Sequence, residues 1–250
     1  MKKIMAANWK MYKTADEARQ TAMALTTLVG AVPADREVLI FPPFTALHAV
    51  AGALRPALGF SMGAQDVYPA DEGAYTGEVS PGMLSDVGCR WVLTGHSERR
   101  HVLGENDDFV GRKTTFSLAA GLNVCLCIGE KLEEREAGML AAVIERQLDK
   151  GLKDVPGDIA PESLAIAYEP VWAIGTGKVA RPEDIVEAHA LVRAKLVALL
   201  PSAGERIPIL YGGSVKPENA AEIVHLDNVN GVLVGGASLQ AESFSRIVLA

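Results

Sequence analysis

Short runs of consecutive apolar residues recur along the chain, at positions 4–7, 38–41, 60–64, 91–93, 124–128, 164–168, 207–210 and 231–234. Most are continuous rather than alternating, as strands covered on both faces of a parallel sheet should be. The run at 60–64 gives the weakest signal, because Ser61 and Gly63 dilute it. Between the runs the apolar period becomes helical. Ala18, Ala22, Leu25 and Val29 form one stripe, and Ile185, His189, Val192, Leu196 and Leu199 form another. Leu140, Ile144 and Leu148 form a third, with Gly151 placed to cap its end. Pro182 suits a first helical position, and Glu183 and Asp184 suit the positive end of the dipole. Arg181, just before them, is a poor N-cap. Eight strands separated by helices leave two architectures, a closed (β/α)8 barrel and an open doubly wound sheet, and the pattern does not choose between them.

Composition narrows the classes. A chain of 250 residues, 49% hydrophobic and 22% charged, is sized and balanced for one globular barrel. No low-complexity stretch or Pro/Ser-rich linker divides it, so one domain over 1–250 is expected. The formal charge of −7 argues against a nucleic-acid partner. It also means that an anionic ligand needs a local lysine or backbone N–H groups. The cysteines, Cys89, Cys125 and Cys127, are odd in number and include a C-x-C pair. That is no disulfide framework and fits a reducing compartment. The apolar run at the start is too short for a signal peptide, and no stretch is long enough to span a bilayer. A cytoplasmic protein without a membrane partner is expected.

The unusual polar residues fall where strands end, the place where a barrel carries its chemistry. Asn8-Trp9-Lys10 follows the first run and Gly95-His96-Ser97-Glu98-Arg99-Arg100 the fourth. Cys127-Ile128-Gly129-Glu130 closes the fifth, and Glu169-Pro170-Val171-Trp172 the sixth. Tyr211-Gly212-Gly213-Ser214-Val215 and Gly235-Gly236-Ala237-Ser238 close the last two. Singly, each residue has an ordinary explanation: a solvated Glu or Lys, a packed or surface His, a glycine in a turn. His48, His189 and His225 are read in that ordinary way. His101 is badly spaced from His96 for a shared metal, and no metal is expected. Gly175-Thr176-Gly177-Lys178-Val179-Ala180 fits a loose dinucleotide pattern, but it does not directly follow a strand and has no well-placed acidic partner.

Taken together, GHSERR, EPVWAIGTGK, YGGSV and LVGGASL, in this order and spacing, resemble the triosephosphate isomerase family over essentially the whole chain. The resemblance implies a single closed (β/α)8 TIM barrel that needs no cofactor. It implies interconversion of dihydroxyacetone phosphate and D-glyceraldehyde 3-phosphate through an enediolate, in glycolysis and gluconeogenesis. In that likeness Glu169 is the base, and His96 is a neutral imidazole that polarises the carbonyl; the family is itself a standard case of such tuning. Lys10 steadies developing charge, with Asn8 its neighbour and Glu98 its partner. Ser97 holds the base while the lid is open. Gly175, Ser214, Gly235 and Gly236 resemble the phosphate cradle. The segment 170–178 resembles the family's closing lid, with hinges at Pro170-Val171-Trp172 and Lys178-Val179-Ala180. Tyr168, Glu130 and Tyr211 resemble its latches. Residues 73–78 resemble a loop that reaches into a second copy, so a homodimer is implied, with Gln65, Tyr75 and Thr76 near the contact. Three positions depart from the family's habit: Asp66 where Asn is common, Tyr75 where Phe is common, and Val179 where Thr is common. A non-catalytic binding protein on the same fold would tolerate loss of Glu169, His96 or Lys10, yet all three are present.

Overall fold

The computed structural model describes residues 2–173 and 179–250. Its strands are β1 (Lys3–Asn8), β2 (Arg36–Phe41), β3 (Phe60–Ala64), β4 (Trp91–Thr94), β5 (Asn123–Ile128), β6 (Leu164–Tyr168), β7 (Ile209–Tyr211) and β8 (Gly231–Val234). They pair in parallel in chain order, and β8 returns to β1. The sheet therefore closes, and the barrel is the architecture.

Closure explains why the strand runs are continuous. Ile4, Ala6, Leu39, Phe41, Trp91, Leu93, Cys125 and Cys127 fill the barrel's interior. The alternate residues Met5, Ala7, Val38, Ile40, Val124 and Leu126 belong to the layer between strands and helices. Both faces are dry, so neither can be polar. Gly63, which weakens the β3 signal, is a packing requirement: a Cβ there would collide with the Phe41 ring. β7 begins later than the apolar run suggests, at Ile209. Pro208 has no N–H to give a ladder, although its carbonyl accepts from Ile166 N–H at 2.9 Å.

Helix α1 (Ala15–Val29) buries the stripe read from the sequence, Ala18, Ala22, Leu25 and Val29. Thr14 and Glu17 close a capping box at its start, with Thr14 N–H donating to Glu17 Oε2 at 2.7 Å. Burying each large aliphatic side chain of such a stripe contributes about 1.5–3 kcal/mol, more than propensity does. Helix α8 (Pro182–Leu199) buries Ile185, Ala188, His189, Val192 and Leu196, while Leu199 stays half-buried. Arg181 supplies no side-chain cap; instead its own N–H donates to Asp184 Oδ2 at 3.1 Å. Gly151 does not cap α7 (Leu140–Gly151) as expected but is its last helical residue. A Cβ at Gly151 would stand 2.7 Å from Leu126 Cδ2, so glycine there lets the helix lie close on β5. Among the described residues, no helix is long and apolar enough to cross a membrane.

Candidate active site

A cleft of about 380 Å³ opens at the C-terminal ends of the strands. Asn8, Lys10, His96, Glu169, Ser214, Gly235 and Gly236 all line it. Seven candidate residues scattered along the sequence thus meet at one place.

Each side chain has a local reason for its position. After β1 the chain turns at Lys10, whose φ of 51° is left-handed. Such a conformation costs a residue with a β-carbon about 1–2 kcal/mol. Asn8 Oδ1 helps to hold the turn by accepting the Lys10 N–H at 2.9 Å. The Lys10 ammonium then lies 2.7 Å from Glu98 Oε1. After β4, His96 caps α4 (Ser97–His101), its Nδ1 accepting the Glu98 N–H at 3.3 Å. An accepting Nδ1 assigns the proton to Nε2. That Nε2 lies 3.0 Å from Glu169 Oε1. The second carboxylate oxygen, Oε2, accepts the Ser97 N–H at 3.0 Å. Ser97 therefore holds the Glu169 carboxylate through its backbone.

Glu169 is only 2% exposed. Burial pushes its carboxyl up, but the His96 imidazole, the Ser97 N–H and Lys10 outweigh burial and hold it below the usual range. It is a carboxylate at neutral pH. At His96 burial pulls the pKa down, while contact with Glu169, and with Glu98 beyond, carries it above its ordinary value. This upward influence comes mainly from the carboxylate it touches, so it weakens once Glu169 moves away.

The residues at the root of the 170–178 segment also converge. Glu130 accepts the Tyr168 hydroxyl at 3.0 Å and the Trp172 Nε1–H at 2.7 Å. Its backbone carbonyl accepts the Val171 N–H at 3.1 Å, next to the buried Pro170. Burial raises the Glu130 carboxyl, in spite of these donors. Tyr211 stands apart from this group: its buried hydroxyl makes no well-formed hydrogen bond among the described residues. Gly175 and Lys178 lie outside the described residues. Tyr75 and Thr76 are exposed, on a loop exposed throughout 71–78. Gln65 is half-buried, and its amide is engaged within its own subunit. His48 and His225 are on the surface, and His189 is packed, as their ordinary reading has it. Among the described residues no group of three His, Cys, Asp or Glu is arranged to hold a metal ion.

Several site residues escaped sequence reasoning. Lys216 and Tyr12 line the cleft. Gly129 and Gly212 make room for Glu169: an added Cβ would collide with the Glu169 carbonyl oxygen at the first, and at the second would lie 2.9 Å from Glu169 Cγ. Gln147 reaches from α7 to bond Gly129 twice, accepting its N–H at 2.7 Å and donating to its carbonyl at 3.2 Å. A polar residue on the buried stripe of α7 was the available signal.

The family comparison agrees with this geometry. A family model described as triosephosphate isomerase matches residues 3–250. The chain belongs to the triosephosphate isomerase family. It is 70% identical to the triosephosphate isomerase of Nitratidesulfovibrio vulgaris (strain DSM 19637 / Miyazaki F), over all of both chains. It is 67% identical to that of Oleidesulfovibrio alaskensis, again over all of both chains. The enzyme of Lawsonia intracellularis is 51% identical over 99% of this chain and 98% of its own. Membership of the triosephosphate isomerase family gives the cleft a triose phosphate as substrate, in a chain whose overall charge would otherwise repel an anion.

Proposed function

We infer that this chain interconverts dihydroxyacetone phosphate and D-glyceraldehyde 3-phosphate, with Glu169 as the base, His96 as the proton donor to oxygen and Lys10 as the stabilising cation. The carrying observation is the meeting of an ionised carboxylate, an Nε2-protonated imidazole and an ammonium group in one cleft. The substrate carbonyl oxygen lies between His96 Nε2–H and Lys10 Nζ. Glu169 takes a proton from the adjacent carbon, and the electron pair moves onto oxygen to form the enediolate. Lys10 and His96 stabilise that oxygen as it gains charge. His96 Nε2 then gives its proton to that oxygen and takes one from the hydroxyl on the neighbouring carbon, while Glu169 returns its proton to the carbon that bore the carbonyl, so the net change is an isomerisation. For this the carboxylate leaves Ser97 and His96, and the imidazole loses what raised its pKa. It then acts as the neutral acid that the Nδ1 bond prepares.

The phosphate rests on backbone N–H groups of Ser214, Gly235 and Gly236, together with Gly175. The segment 170–178 closes over it and excludes water, and Glu130 with Tyr168 and Trp172 fixes its root. Tyr211, buried at the end of β7, serves as a second latch. The chain works as a homodimer without a cofactor, in a reducing cytoplasm that keeps its three buried thiols free.

A coupled assay with glyceraldehyde 3-phosphate tests the assignment of the base. Glu169→Ala should lower kcat by about 10²–10⁴-fold or more, the range of general base catalysis. Wild-type turnover in that variant would remove Glu169 from the mechanism.

A further inference from the structure

Gln65 follows β3 and touches none of the reacting side chains, yet its one amide nitrogen donates to two carbonyls, Lys10 O at 2.8 Å and Phe41 O at 2.9 Å. Phe41 ends β2, and its carbonyl also accepts the Trp9 N–H at 3.1 Å. The turn after β1 is thus tied to the end of β2 through the side chain that follows β3. Lys10 sits at a φ of 51°, where a non-glycine residue does not stay unaided. Its N–H is held by Asn8 Oδ1 at 2.9 Å. That bond orients the peptide before Lys10 and leaves the peptide after it free. The Gln65 amide fixes the second peptide, so the direction of the Lys10 side chain is determined from both sides.

We propose that Gln65 is a positioning residue of the isomerisation: by holding the Lys10 carbonyl against the end of β2, its amide aims the ammonium into the cleft. The inference rests on Lys10 being the reaction's cation. The residue after Gln65 strengthens the case. Asp66 is buried and pairs with Arg99 at 2.8 Å and with Lys113 at 2.6 Å. Arg99 lies in α4, the helix that His96 caps. One short segment therefore grips the backbone of the cation and the helix of the imidazole, setting the spacing between them. The resemblance places Gln65 at the subunit contact, but both of its donor hydrogens are committed within this subunit.

The test is a double-mutant cycle on kcat/KM. Gln65→Met keeps length and removes both donors; Gln65→Glu keeps shape and turns a lone pair toward each carbonyl. Each should lower kcat/KM by about tenfold to a hundredfold, the scale of a small misplacement remote from the chemistry. The loss should fall on kcat, with KM changed less than about threefold. A displaced ammonium still attracts a dianion but meets the forming oxyanion badly. In a Lys10→Ala background, assayed at high enzyme concentration, Gln65→Met should change kcat/KM by less than about twofold, the near-complete coupling of residues that act as a unit. Sedimentation and thermal midpoint are followed for every variant. The proposal is overturned if folded Gln65→Met and Gln65→Glu keep wild-type kcat. It is equally overturned if Gln65→Met costs as much without Lys10, or if its loss follows dissociation into monomers. Wild-type activity in Lys10→Ala alone would instead refute the role given to Lys10.

Discussion

His189 is fully buried beneath the strands, and removal from water pulls its pKa down to about 4, against its bond to the Asn228 carbonyl. Its Nδ1 is 3.0 Å from that carbonyl, which can only accept, so Nδ1 carries the proton and Nε2 stays bare. His96 has the opposite arrangement, with Nδ1 accepting and Nε2 protonated. Two buried imidazoles thus differ in tautomer because their backbone partners differ. The consequence for His189 is a dependence of stability on pH. Its folded pKa lies below the unfolded value of 6.5, so the unfolded chain binds a proton that the native one refuses. The stabilisation is complete above pH 6.5 and is lost as pH falls toward about 4. At one unit of pKa per 1.36 kcal/mol, the span amounts to about 3 kcal/mol at most. Urea unfolding across this interval should show a shallower decline for His189→Phe than for the wild type. Equal slopes would mean that His189 titrates normally in the folded protein.

Among whole elements, α5 (Asp107–Ala119) carries the least expected feature, a lysine with its ammonium inside the protein. Lys113 is 1% exposed and pairs with Asp66 and Glu105, both at 2.6 Å, while Arg99 joins the same two carboxylates. Burial pushes Asp66 up; Glu105 is burdened likewise but is held down by Arg99 and Lys113. Two cations and two anions balance, and the cluster ties α5 and α4 to the loop after β3. Removing one partner leaves an uncompensated buried charge, which costs about 3–5 kcal/mol. Lys113→Met should lose stability of that order in chemical denaturation. A loss below about 1 kcal/mol would mean that water or proton uptake compensates. Lys113 also shows where sequence reading stops. Continuous strand runs, three apolar stripes and the residues at strand ends were legible because burial on two faces, or on one stripe, leaves a periodic trace. Lys113 leaves no such trace, and Gln147 only its place on an apolar stripe: a buried polar group is stable only through partners remote in sequence, and those partners appear only on folding. Gly63, Gly129, Gly151 and Gly212 were visible as glycines, but the atoms they make room for belong to other strands. Gly151 looked like a cap because a helix end is the commonest local reason for glycine, and contact with Leu126 is not local.

At the scale of the whole molecule, several of the exposed large apolar side chains follow the first four strands, and this bears on assembly. Met11 and Tyr12 follow β1, Phe44 follows β2, Tyr75 follows β3, and Val102 and Leu103 follow β4. Met11 is 94% exposed, Val102 78% and Leu103 63%. The loops after four neighbouring strands thus present apolar groups to solvent, the kind of surface that a partner can cover. The Tyr75 ring lies 4.4 Å from that of Tyr68, tilted by 38°. With a charge of −7 on each copy, net electrostatics opposes self-association, so the proposed homodimer would have to be driven by apolar burial. A two-fold axis lets the same surface serve both copies. The wild type should sediment at about twice 26.5 kDa at micromolar concentration. Combining Tyr75→Glu with Thr76→Glu should release monomers, since each added carboxylate would have to be buried without a partner. Met11 and Tyr12 adjoin Lys10, so loss of their cover would loosen the far side of a turn that Asn8 and Gln65 hold from within. The monomer should therefore lose kcat/KM by about tenfold or more, by the same misplacement that a remote change inflicts. A wild type that sediments as a monomer would break this chain of reasoning at its first step. Undiminished turnover in a monomeric double variant would break it at the last, by showing that one copy holds its own cation in place.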